Sequence, residues 1–345
     1  VSKVRDDGRH IAPSLGVLAG EASGQEVTSR EEAYPAPPAA WRETPTRSFE
    51  GEEPTYYGRP LLKEPVWIWA VPVYFYVGGT AGAAAVLGAA AQALDQGEMR
   101  GLVKACRWIA AIGGAVGSAL LTLDLGRPER FLHMLRVIRP TSPMSIGSWV
   151  LAGAASCTLG SALLMDQEGF LGQVGDVAGY SAAVFGLPLA GYTAVLLANT
   201  AVPVWQETRR SLPPLFVASA MSGLASLFGL LPLAPRERKI VHRFGTVGKL
   251  ADLAAMAAVE RDAGRIETVG RPLRQGISGA LWKAARALTG ASLAVSLLPG
   301  RSRSRRLVQG LLGTAGALSL RFAVLHAGKA SARDPRATFR RQRDC

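Results

Sequence analysis

Stretches of some twenty residues with few charges recur along this chain, at about 67–91, 105–124, 145–165, 179–201, 213–233, 277–298 and 306–327. A helix of that length crosses the ~30 Å hydrocarbon core of a bilayer. Inside lipid no water is present to bond backbone N–H and C=O groups, so a spanning segment must satisfy them within itself, as a helix does. A shorter apolar run, GTVGKLADLAAMAAVE at 245–260, carries Lys249 and Asp252 and would make an eighth crossing, sixth in chain order. The fold class that follows is all-α: a polytopic transmembrane bundle of about eight helices. A 48% hydrophobic content and 39 glycines suit such a bundle, where small residues let helices approach closely. GGTAGAAAVLGAAA, with Gly78 and Gly82 four residues apart, reads as one such packing face.

Composition divides the chain into three parts. Residues 1–60, with AYPAPPAAW and clustered Ser, Glu and Pro, have no sustained period and read as a mostly disordered polar tail. Residues 61–328 form the bundle, and 329–345 a basic tail. No secretory signal opens the sequence, so the first hydrophobic helix is expected to serve as the insertion signal. The net charge of +13 does not indicate nucleic acid. Residues 1–65 carry a net −3, and the remaining net +16 lies in loops between apolar runs, where topology and anionic lipid account for it. If all eight segments cross, the side holding the termini collects 19 Lys/Arg against 12 on the other. The positive-inside rule then places both termini in the cytoplasm, whereas losing the short sixth span would reverse the second half. LDQGEMRG reads as a turn between the first two helices, and QEGFLGQVGD as an acidic loop between the third and fourth.

Cys106, Cys157 and Cys345 form no CxxC or Cys/His cluster, so no zinc or iron–sulfur site is expected in this chain. Of four histidines only His326 falls in a predicted span, which argues against a bis-histidine haem. Phosphate loops, GxSxG, HExxH and dinucleotide fingerprints are absent from the sequence.

The chemistry-bearing residues therefore lie among the helices. In LLTLDLGRPERFLHMLRVIRPTSPMS an apolar helix ends on Asp124, and Gly126 and Pro128 then stop it. A carboxylate there faces the negative end of the helix dipole, unless Arg127 or Arg130 compensates or some chemistry requires it. A helix-end salt bridge and a proton-transfer group are both open readings. Arg127, Arg130, Arg136 and Arg139 also suit lipid headgroups. Asn199, Asp252, Glu260 and Arg321 are polar or charged near or within spans, as a proton path or as buried charge. Arg321 is the most demanding: it must snorkel, line a wet cavity, or pair with an acid such as Asp252 or Glu260. Five aromatic residues from Trp67 to Tyr76 stand at the entry of the first helix as an interfacial belt or a ring-stacking wall.

Five blocks carry a family resemblance: TYYGRPLLKEPVW, VYFYVGGTAGA, LDLGRPERFLHMLRVIRPTSPMSIGSW, YTAVLLANTAVPVW and LRFAVLHAGKASARDP. From about residue 56 onward the chain resembles the polysulfide reductase membrane-subunit (NrfD/PsrC-type) family, the quinone-reactive anchors of molybdopterin oxidoreductases in anaerobic respiration. The last block looks most like anchors found with formate-dehydrogenase-like enzymes. The likeness implies a multi-pass protein of the inner (cytoplasmic) membrane that binds menaquinone or ubiquinone non-covalently, without haem. It further implies a ferredoxin-like iron–sulfur subunit docked over the quinone site and a molybdopterin catalytic subunit beyond it. The chain would then be an oxidoreductase subunit, inactive alone. The aspartate of DLGRP maps onto Asp124 as the proton-relaying acid, with Arg127 and Arg130 tuning it, Tyr74 and Trp69 as pocket walls, and His133 replacing a histidine that several relatives carry in the first helices. A secondary transporter using Asp252, Glu260 and Arg321, or a purely structural anchor, are the competing classes.

Overall fold

A computed structural model describes residues 10–12, 17–19, 61–94, 98–125, 131–298 and 302–338. Two compact units divide the chain near residue 59. In the first, β1 (His10–Ala12) and β2 (Val17–Ala19) form an antiparallel pair with His10 opposite Ala19; the remainder of the expected N-terminal tail lies outside the described residues.

The second unit is helical: α1 (Ala70–Leu94), α2 (Arg100–Asp124), a 3-10 turn (Leu132–Leu135), α3 (Pro143–Leu164), α4 (Gly169–Ala198), α5 (Pro203–Glu207), α6 (Leu212–Gly229), α7 (Pro235–Ala263), α8 (Glu267–Arg274), α9 (Gly276–Leu297) and α10 (Arg303–Arg333). Local signals set several starts. Ser142 accepts from the Ser145 N–H ahead of Pro143, and Ser302 accepts from the Arg305 N–H. Among the described residues six helices, α1, α2, α3, α4, α6 and α10, are long and apolar enough to cross a membrane, and the chain is a multi-pass membrane protein.

Side-chain proximities fix the directions. Gly88 meets Cys106 and Gly113 meets Ala81, so α1 and α2 run antiparallel. Gly153 against Phe185 and Gly175 against Leu164 do the same for α3 and α4. Gly79 beside Ala220 and Gly223 beside Thr80 place α6 parallel to α1. Gly245 beside Ala225 and Gly248 beside Met221 turn α7 back along α6, and Gly316 beside Thr289 sets α10 against α9. The eight long helices thus alternate in direction, as two four-helix groups, α1–α4 and α6, α7, α9, α10, joined through α1 and α6. At Gly82 and Gly186 the α1 and α4 backbones come so close that a methyl on either would strike the other's carbonyl oxygen.

The short sixth run proves to be the middle of α7. With 29 residues α7 is about 44 Å long, and its charges gather toward its two ends, leaving Lys249 and Asp252 between them, both turned inward. The segment expected as an acidic loop, 165–178, is mostly helix: α4 begins at Gly169, whose φ of +64° makes the turn. Phe170, Leu171 and Val177 project outward there, which suits lipid contact. α10 likewise continues through residues 329–333.

Leucine, valine and isoleucine dominate the exposed face, for example Ile112, Leu159, Val184, Leu187 and Leu311, while alanine, glycine and hydroxyl residues fill much of the interior. That inversion is what a bundle solvated by hydrocarbon requires.

Candidate functional site: a cavity at the Asp124 end

The alternation brings the start of α1, the end of α2, the start of α3 and the end of α4 to one end of the bundle. Between them lies a cavity of about 510 Å³, within the range that holds a small organic ligand. Its walls are largely apolar, from Trp67, Phe75, Phe131, Met134, Met144 and Leu151 among others. Gly147 makes room for the Tyr192 ring, since a methyl at that position would overlap it. Tyr74, 3% exposed, lies in an aromatic run with Phe75 and Phe216. Trp67 stacks on Trp205 with ring centroids 5.8 Å apart and planes 19° apart, and the Trp205 indole N–H donates to the Val324 carbonyl at 3.0 Å.

Polar side chains of Tyr74, Ser118, Asp124, Ser148, Ser156, Tyr192 and Thr193 also line this space. Asp124 Oδ1 accepts from the Ile68 N–H at 3.1 Å, and no described residue donates to Oδ2. The Tyr74 and Tyr192 hydroxyls have no hydrogen-bond partner among the described residues, and both residues line the cavity. The hydroxyls of Ser118 and Ser148 are directed to backbone carbonyls of their own helices, Gly114 and Met144. The odd placement of Asp124 has a structural account. It ends α2, but the antiparallel neighbour α1 begins beside it, so its carboxylate meets the positive end of α1 through the Ile68 amide.

The remaining residues singled out in the sequence distribute unevenly. Trp69 is 61% exposed and does not line the cavity; Trp67 does. His133 is exposed on the 3-10 turn, whose Phe131, Met134 and Leu135 face the cavity instead. Arg127 and Arg130 lie outside the described residues. Asn199 caps α4 through its side-chain amide, which donates to the Val195 carbonyl, and it borders a separate cleft with Arg209 and Arg210. Glu260 accepts from the Trp282 indole at 2.6 Å and from Arg286 at 2.8 Å, so its ion partner is Arg286. Arg321 is 1% exposed; it donates to the Phe216 carbonyl at 3.0 Å and lies 3.9 Å over the Phe216 ring. Asp252, fully buried, is its electrostatic neighbour without direct contact, and both Asp252 oxygens lack partners among the described residues.

Tyr192 was not singled out from the sequence, although it sits in YTAVLLANTAVPVW, and Trp67 and Phe75 stood out only as members of the aromatic cluster at the entry of the first helix. Arg107 was missed as well. Buried at the opposite end, it donates to the Ser161 carbonyl, Gln92 and Asp176, tying four helices together. No group of three or more potential metal ligands occurs among the described residues.

A family model described as polysulphide reductase, NrfD, matches residues 61–332, which takes in every long helix and the whole cavity wall. No curated protein matches the chain. The matched span is well over half of the sequence, and the chain belongs to the NrfD family of polysulphide reductase membrane proteins.

Proposed function

We propose that this chain is the quinone-reactive membrane subunit of a molybdopterin oxidoreductase, exchanging electrons between an iron–sulfur partner and a quinone held in the Asp124 cavity. NrfD-family proteins are membrane subunits of molybdoenzyme complexes and generally partner iron–sulfur and molybdopterin subunits. The observation that carries the reading is the pairing of largely apolar, aromatic walls with oxygens that have no partner among the described residues, those of Tyr74, Tyr192 and one Asp124 oxygen. A quinone, menaquinone or ubiquinone, presents a flat ring with two opposed carbonyl oxygens, and when bound it supplies paired electron and proton chemistry.

The residues divide the work. Trp67 and Phe75 give aromatic faces for a ring and keep water out. The Tyr74 and Tyr192 hydroxyls donate hydrogen bonds to a carbonyl oxygen. Asp124 holds or releases the proton at its carboxyl oxygen, close to solvent at the end of α2, as general acid–base catalysis requires. Electrons arrive from a ferredoxin-like subunit seated over this end, where Arg136 and Arg139 add positive charge. Asp252 and Arg321 extend a polar route into the second helix group. The termini face the cytoplasm, following the Lys/Arg balance.

The Ile68 contact favours a second reading, in which Asp124 only fastens the approach to α1. Two substitutions separate them. Asp124→Asn keeps an oxygen that can accept from Ile68 but cannot exchange the proton. In the assembled complex it should lower quinone turnover by about 10²-fold or more while yield and Tm stay near wild type. Asp124→Leu should lower all three. Full turnover in Asp124→Asn would establish the fastening role alone.

A further inference from the structure

At the end of the bundle opposite Asp124, the last turns of α6 and α9 and the first turns of α7 and α10 leave a cleft of about 410 Å³. Its floor and walls include Phe228, Leu231, Leu233, Leu297 and Leu298. Leu297 and Leu298 are more than half exposed, so apolar surface lies open inside the cleft. The rim carries Arg238, Lys239, His242, Arg305 and Arg306, and no acidic residue lines the cleft.

The nearby acids are already engaged. Glu237 is buried, and its carboxylate accepts from the Leu102 and Ala234 N–H groups. Glu98 pairs with Arg236. Arg238 donates to the backbone carbonyl of Leu233, and Arg305 donates to that of Leu298, which orients their guanidinium groups at the rim. The side chains of Lys239 and Arg306 make no hydrogen bond or ion pair with any described residue. α7 and α10 both begin at this cleft, so the positive ends of two helix dipoles add to the same field. Basic residues at membrane-helix ends are ordinary. A cationic rim above an open apolar floor, set between four helices, calls for a ligand with both characters.

We propose that this cleft binds an anionic phospholipid from the surrounding bilayer, its phosphate between Lys239 and Arg306 and its acyl chains against Leu231, Leu297 and Leu298. Charge complementarity selects the headgroup, and the apolar floor selects a lipid over a free anion. The site lies at the far end of the bundle from the Asp124 cavity, so it stands or falls independently of the quinone reading.

The test uses the full chain, delipidated in neutral detergent. Dioleoyl phosphatidylglycerol should raise Tm saturably, whereas dioleoyl phosphatidylcholine and inorganic phosphate at the same concentrations should not. The double variant Lys239→Gln/Arg306→Gln should weaken the phosphatidylglycerol response tenfold or more, and Arg209→Gln/Arg210→Gln, at the other end, should leave it unchanged. Native mass spectrometry of the wild-type chain in an equimolar mixture of the two lipids should retain phosphatidylglycerol selectively, a readout that does not depend on a variant folding. Equal retention of both lipids, an equal response to inorganic phosphate, or an unaltered response in the Lys239/Arg306 variant would overturn the assignment.

Discussion

The Lys329 ammonium, near the end of α10, donates to the carbonyl oxygen of Trp67 at 2.8 Å, joining the last helix of the bundle to the segment that enters the first. Arg333 repeats the connection one turn later through Glu64 at 2.7 Å. Trp67 is a cavity wall, so the end of α10 positions a residue of the candidate quinone site without touching that site itself. Lys329→Met should cost about 1.5–3 kcal/mol, the range for a hydrogen bond from a charged donor. In the assembled complex it should raise the KM for quinone more than it lowers kcat. Steady-state kinetics over a quinone concentration series would check that division.

Tyr192 occupies space that only a glycine at position 147 leaves open. Gly147→Ala should displace the Tyr192 ring into the cavity and destabilise the chain by about 1–3 kcal/mol through overpacking. Tyr192→Phe, by contrast, should leave Tm near wild type and weaken quinone binding alone. Thermal unfolding and quinone titration of the two variants would show the difference.

Arg321 and Asp252 are opposite charges buried in the second helix group, close enough to influence each other yet not in contact. Arg321→Met should destabilise the chain, because Asp252 loses the nearby positive charge that offsets the burial of its carboxylate. Adding Asp252→Asn in that background should restore part of the loss. A double-mutant cycle on unfolding of the full chain in detergent measures the coupling, and strict additivity would show that the two residues do not act as a pair.

Lys104 lies 2.5 Å from Asp166 in the α3–α4 connection, with Arg100 nearby. The Lys104 hydrogen bond and charge hold the Asp166 carboxyl below its ordinary value of 3.8. Folding therefore favours the ionised form, so the stabilisation is fully present above the ordinary value and fades as pH falls through the lower folded one. Asp166→Asn should lower Tm slightly at neutral pH, and the difference should close in acid. The pair is exposed, which keeps the effect small.

Hydrophobic length made the bundle legible in the sequence. Six predicted spans lie within a few residues of α1, α2, α3, α6, α9 and α10, because a run of few charges and that length reports the part of a helix that can cross hydrocarbon. α4 and α7 start ten residues earlier than their apolar runs. At α4 the extra turns interrupt their apolar residues with Gln173, Asp176 and three glycines, and at α7 they are charged, so neither reads as part of a span in the sequence. Asp124 was visible because a carboxylate at the end of an apolar helix is out of place. Trp67 could not be told from Trp69 in the same way: both belong to one aromatic cluster, and only the docking of α10 and the stack on Trp205 distinguish them. Tyr192 and Phe75 reach the cavity through helix contacts far apart in the chain, which no local pattern encodes.

α1 packs against α2, α4, α6 and α10. Of these neighbours α2 follows α1 directly in the chain, whereas α10 is made only after all the other long helices described above. Until α10 has been made, one flank of α1 faces lipid or a chaperone, and the latch on Trp67 has nothing to close it. A messenger truncated ahead of α10 would accordingly yield a protein that inserts but lacks a finished ligand chamber, so biosynthesis itself delays the site's maturation until α10 has emerged.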